Sequence, residues 1–209
     1  MKKLIPLLLA VFALTACEKD ADTDQLDNKF VVYTNYDKNA NFKQFNTYYL
    51  PDSILIIGDK DKQEYWKDAN AQKIIDTYIF NMDNRGYTRV TEREEADLGL
   101  QLSYVKNTYV FTDYGYPEWW WGYPGYWDVP YWGNWGDWYY PYAVTYSYST
   151  GSFVTELLNL DAPQGQTAQL PILWTAYMSG LLSGSTSVNV DLSIQAVNQA
   201  FTQSTYLKK

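Results

Sequence analysis

The chain has 209 residues, of which 46% are hydrophobic and 18% aromatic, with a formal charge of −8. It has no histidine and one cysteine. That removes the commonest general acid–base and transition-metal ligand together and leaves no Ser–His, Cys–His or zinc arrangement to assemble. An acidic chain of this kind is a poor partner for nucleic acid or anionic lipid.

The opening Met1-Lys2-Lys3 is basic, Leu4 to Leu14 is apolar apart from Pro6, and Leu14-Thr15-Ala16-Cys17 follows at once. This is the layout of an export signal, with an apolar run too short for the roughly twenty residues of a spanning helix. Leu14-Thr15-Ala16-Cys17 resembles the bacterial lipobox, which implies cleavage after residue 16 and a diacylglycerol on Cys17. Because Cys17 is the only cysteine, it has no disulfide partner within the chain. Two or three acyl chains at about 0.8 kcal/mol per buried methylene hold a protein at a bilayer effectively permanently.

Residues 17–28, from Cys17-Glu18-Lys19-Asp20 to Asp27-Asn28, are polar and acidic and predict a flexible tether. Lys19-Asp20 and the acids after it resemble signals that send some lipoproteins to the outer face of the outer membrane. The expected address is therefore the cell envelope, at the outer membrane, with surface display favoured. Without Lys2 and Lys3 the mature chain has 14 basic and 24 acidic residues, a formal charge near −10. Its length fits one domain over residues 29–209.

Phe30 to Tyr36 and Phe42 to Leu50 predict two strands joined by a polar loop. Within the loop from Gly58 to Lys62, Asp59-Lys60-Asp61-Lys62 lacks the alternating oxygen ligands and closing Glu of a calcium loop, so a solvated turn and no metal are expected. Ala71, Ile74, Ile75, Tyr78, Ile79 and Met82 recur at helical spacing between about Asp68 and Asn84, with Gly86 placed to cap the C-terminus. Tyr87 to Val90 predicts a short strand. From Ala96 to Tyr104 the pattern alternates with Leu98, Leu100, Leu102 and Tyr104 on one face, a half-buried strand.

Ala143 to Ser149 and Ser152 to Leu160 predict a hairpin about Thr150-Gly151, Ile172 to Met178 a further strand, and Val190 to Thr205 a second helix with Val190, Ile194, Val197 and Phe201 on one face. The expected fold class is α+β: a mainly antiparallel sheet with two helices packed on one face.

Several pieces together resemble bacterial lipoproteins of the domain of unknown function family 4136. They are Asn41-Phe42-Lys43-Gln44-Phe45-Asn46-Thr47-Tyr48, Asn84-Arg85-Gly86-Tyr87, Ala96-Asp97-Leu98, Gly151-Ser152-Phe153 and Leu173-Trp174-Thr175-Ala176. The resemblance spans most of residues 30–205 and departs at Thr175, where a glycine commonly follows the tryptophan. It implies an envelope lipoprotein with a compact α+β domain and carries over no catalytic residues.

The segment Tyr114 to Tyr142 holds seven of the nine tryptophans and eight tyrosines, with five glycines, four prolines and only three charges, Glu118, Asp128 and Asp137. So many prolines and glycines are incompatible with a regular helix or central strand, which predicts a long aromatic loop. Trp and Tyr rings lose little entropy on fixing, form protein hot spots and stack on sugar C–H faces. The candidate binding residues are Trp119, Trp120, Trp121, Tyr123, Tyr126, Trp127, Tyr131, Trp132, Trp135 and Trp138, with Glu118, Asp128 and Asp137 as polar partners.

Four outcomes are open for this segment: it folds back on its own sheet or self-associates, it forms an envelope-protein or oligomer interface, it binds glycan or peptidoglycan, or it settles at a membrane interface, against which its lack of Lys and Arg counts. A carboxylate-only glycoside hydrolase is the enzymatic alternative. The expectation is a non-enzymatic interaction module without cofactor, with no catalytic residue assigned.

Overall fold

A computed structural model of the chain describes residues 30–57, 64–106, 132–133, 135–142, 151–182 and 186–209. The strands, in chain order, are β1 (Val31–Tyr36), β2 (Thr47–Tyr49), β3 (Ile54–Ile57), β4 (Glu64–Trp66), β5 (Thr88–Val90), β6 (Leu98–Val105), β7 (Trp135–Tyr139), β8 (Ser152–Asn159) and β9 (Gly165–Ser179). Among the described residues two α-helices join them, α1 (Ala69–Asn84) and α2 (Thr186–Gln203).

The main path across the sheet is β1-β9-β8-β6-β2-β5. Its three longest ladders, β1 with β9, β8 with β9 and β6 with β8, are antiparallel. The fold is thus the expected α+β class with a mainly antiparallel sheet. Short parallel ladders join β2 to β5, β2 and β3 to β6, and β7 to β9. β2 and β3 lie end to end along one edge of β6, meeting it at Leu98–Gly99 and at Ser103–Val105.

Helix α1 starts where Asp68 accepts hydrogen bonds from the Asn70 and Ala71 amides at 2.8 and 2.9 Å, satisfying two of the free N–H groups of the first turn. It stops in a Schellman motif: the Gly86 amide donates to the Asp83 carbonyl and the Tyr87 amide to the Met82 carbonyl. Gly86 has φ +91°, a conformation that favours glycine. Ala71, Ile74, Ile75, Tyr78 and Met82 are all buried, as their spacing predicts.

Both helices cover the same sheet face. Tyr78 and Phe201 meet edge to face at 6.0 Å, and Trp174 of β9 lies 5.5 Å from Phe201. Arg85, just past α1, aims its guanidinium at the chain end: it donates to the carbonyls of Ser204 at 3.0 Å, Leu207 at 3.3 Å and Phe201. Two of those carbonyls, Phe201 and Ser204, also accept from the Ser204 and Leu207 amides at 3.0 and 3.1 Å in the turns that follow α2, so Arg85 adds a further donor at an end where helix carbonyls lack intrahelical partners. Arg85 therefore caps one helix from the other.

Four expectations are corrected. Phe42 to Gln44 is a 3-10 turn, and only Thr47–Tyr49 of that stretch is strand; Phe42 and Phe45, three apart, both turn into the core. β6 is buried on both faces instead of one.

The expected Ala143–Leu160 hairpin is not the pairing that β8 makes, since one of its edges is taken by β6 and the other by β9. Residues 143–149 lie outside the described residues, as does the turn at Gly58 to Lys62. Lastly, the aromatic segment is not loop throughout: Trp135 to Tyr139 forms β7, parallel to β9, with a register shift between Trp135 and Asp137. Two further strands, β3 and β4, were not expected.

Arg85→Lys keeps the charge but lacks the planar fork that reaches three carbonyls. Urea denaturation should show a loss of about 1–3 kcal/mol; a loss within error would remove Arg85 as a clamp between the helices.

Candidate functional site

The aromatic segment returns to its own sheet where it is described. Trp132, Trp135 and Trp138 are 1%, 4% and 1% exposed and join Tyr140 in a second core with Leu55, Val105, Val154, Leu158 and Ile172. Trp132 meets Trp138 edge to face at 6.4 Å and Tyr49 at 6.0 Å. The Trp132 ring lies against Gly99 so closely that a Cβ there would overlap it. Its indole N–H donates to Gln101 Oε1 at 3.0 Å, and the Trp135 indole N–H to the Trp132 carbonyl at 2.9 Å. A glycine in β6 makes room for a ring, and the next residue on that face accepts its proton.

A polar row crosses the sheet beneath this cover. Gln101 on β6 pairs with Glu156 on β8, and Glu156 with Thr175 on β9. All three are buried, and the Tyr140 hydroxyl donates to Glu156 Oε1. A buried carboxylate needs such donors to offset its lost hydration.

On the helical side, at the other end of β6, lies a cavity of about 370 Å³. Ile56, Trp66, Tyr104, Phe153, Leu181, Leu182 and Val190 supply its apolar lining, with Lys106, Asn189 and Ser193 as its polar members. Tyr104 and Phe153 face each other across β6 and β8 with rings 5.2 Å apart, and Trp66 stands 5.8 Å from Tyr104 and 6.3 Å from Phe153. The Trp66 ring is oriented by its N–H, which donates to Asp68 Oδ1 at 2.6 Å, the oxygen that caps α1. Burial pushes the Tyr104 phenol above its ordinary pKa, which keeps it neutral in this wall.

Ser193 is turned back onto its own helix, donating to the Asn189 carbonyl at 2.7 Å. Lys106 Nζ sits 3.4 Å from Glu64 Oε2, with the lysine side chain 59% exposed. Among the described residues no Asp or Glu lines the cavity, and no group of three His, Cys, Asp or Glu side chains is placed to hold a metal.

The model described as Domain of unknown function (DUF4136) matches residues 32–204. The chain belongs to the DUF4136 family. A solved structure of a DUF4136 family protein from Bacteroides thetaiotaomicron is 56% identical, covers 87% of this chain and 99% of its own, and superposes with a TM-score of 0.79. A dodecameric PelC variant from Paraburkholderia phytofirmans aligns over 83% of this chain and 98% of its own at 10% identity and a TM-score of 0.36, too low to bear on fold or function. No curated protein matches the chain.

Several family-like motifs of this DUF4136 chain serve its framework. Asp97 Oδ2 accepts from the Asn46 and Thr47 amides, and the Thr47 hydroxyl accepts from the Asp97 amide at 3.0 Å, locking the start of β2 to the start of β6. The Trp174 indole N–H donates to Ser204 Oγ at 2.9 Å.

Of the sequence-derived binding residues, Trp132, Trp135 and Trp138 are thus core, and Asp137 lies on β7. Glu118, Trp119, Trp120, Trp121, Tyr123, Tyr126, Trp127, Asp128 and Tyr131 lie outside the described residues. The cavity residues were not anticipated. The available signals were Trp66, one of two tryptophans outside the aromatic segment, and Leu181-Leu182 within a Gly- and Ser-rich stretch.

Trp132→Ala should cost about 3–5 kcal/mol in chemical denaturation, with exposure of the remaining indoles to acrylamide quenching. A loss below about 1 kcal/mol would mean that the ring is not part of the second core.

Proposed function

We propose that this DUF4136 chain is a non-enzymatic binding protein of the cell envelope, lipid-anchored through Cys17 at the outer membrane, with the cavity beside β6, β8 and α2 as its ligand site. The cavity carries this reading. Concave, largely apolar hollows with a few polar groups at defined positions are how proteins hold small ligands, and about 370 Å³ falls in the lower part of the roughly 300–1,000 Å³ range of such sites. The lack of histidine in the chain and of any carboxylate among the described lining residues favours binding over catalysis. The anchor rests on the basic start, the apolar run and the lipobox-like Leu14-Thr15-Ala16-Cys17.

Metabolic labelling with tritiated palmitate tests the anchor. The wild-type chain should carry label and sediment with membranes, and Cys17→Ser should lose both; label that survives the substitution rules the anchor out.

A second reading keeps the aromatic stretch as the contact surface, for an envelope protein or for glycan. It is favoured by the density of rings from Trp119 to Tyr131, which stands after Trp132, Trp135 and Trp138 are assigned to the core. Titration with peptidoglycan fragments and capsular oligosaccharides should then shift tryptophan emission saturably. A flat response across the panel sinks the glycan form.

A further inference from the structure

Lys106 gives the cavity two unlike ends. After it no Lys or Arg occurs until Lys208, while seven acids fall in that interval, so this ammonium stands at the head of an acidic stretch of chain. It lines the cavity together with the rings of Trp66, Tyr104 and Phe153. Its partner Glu64 is 3.4 Å away and part-exposed, the kind of surface pair that contributes little and that a second carboxylate can displace. A lysine stem also lies well along apolar surface while its head stays in water.

We propose that the cavity holds the hydrocarbon chain of a long-chain carboxylate, with the tail against Trp66, Tyr104 and Phe153 and the head at Lys106 Nζ. The proposal rests on the reading of this cavity as the ligand site and specifies its chemistry. An apolar hollow fits hydrocarbon, which gains by leaving water in proportion to its buried area. Its volume of about 370 Å³ suits a single chain, and Lys106, the one cation among the described lining residues, selects an anionic head.

Position supports the same ligand. β1 begins at Val31, opposite Ser179, and Ser179 is two residues from Leu181 in the cavity wall. The chain thus enters the domain beside the cavity. Residues 18–30, even fully extended, reach at most about 45 Å from Cys17, so a lipid on that cysteine keeps the cavity close to a bilayer, the source of such amphiphiles.

The test uses the whole mature chain, residues 17–209, with Cys17→Ser so that its own acyl groups cannot occupy the cavity. Dodecanoate and dodecan-1-ol are titrated separately, below micelle-forming concentrations, by calorimetry and by tryptophan emission. Dodecanoate should bind one to one, and the alcohol about tenfold more weakly. Lys106→Gln should remove that difference by weakening dodecanoate alone, and Asn189→Trp, a half-exposed position in the lining, should block both with the thermal midpoint retained.

If alcohol and carboxylate bind equally and Lys106→Gln changes neither, the head assignment is overturned while the cavity stands as a ligand site. If neither ligand binds, or binding survives Asn189→Trp, the cavity reading falls with it. None of these outcomes depends on whether Cys17 is lipidated.

Discussion

Everything in this domain depends on covering β6, β8 and β9 on both sides. Antiparallel sheets commonly face water on one side, yet nearly every residue of β6 and β8 is buried. Two covers are therefore required, and they differ in kind. One is a pair of amphipathic helices; the other is a group of tryptophans carried by the strand β7 and the residues just before it.

The two covers impose different rules on the strands between them. Toward the helices, Leu98, Leu100 and Leu102 meet Phe153, Leu157 and Trp174 in an apolar core. Toward the tryptophans the same strand presents Gly99, Gln101 and Ser103, and these polar groups are acceptable because indole N–H and phenol O–H groups arrive with the rings. Tryptophan and tyrosine can close a face that carries Gln101 and Glu156, whereas leucine would strand those groups without donors.

The cavity follows from the same layering. β6 and β8 present Tyr104 and Phe153 toward the helices, and Leu181 and Leu182 lie between β9 and α2. Large rings at the strand ends meet α2 only partly, which leaves a hollow. Asp68 contributes twice, capping α1 and holding the indole of Trp66 in the wall. The framework that stabilises the helix thereby shapes the proposed site.

Local periodicity was enough to place α1, the core of β6 and the inward face of α2, because 3.6- and 2-residue repeats are written into consecutive residues. The composition of Tyr114–Tyr142 marked that segment as unusual, and Cys17 with its flanks carries the lipoprotein expectation by itself. Pairing was beyond such signals: β8 could equally have paired with the residues before Gly151, and only the assembled sheet gives its edges to β6 and β9. The alternation Leu98-Gly99-Leu100-Gln101 reads as one wet face, since a polar residue covered by a tryptophan 31 positions away is indistinguishable in sequence from one facing water. What the sequence by itself determined is the class of fold and the helices; what only the tertiary structure decided is which aromatic residues are core and where a cavity is left, because both depend on contacts between residues far apart in the chain.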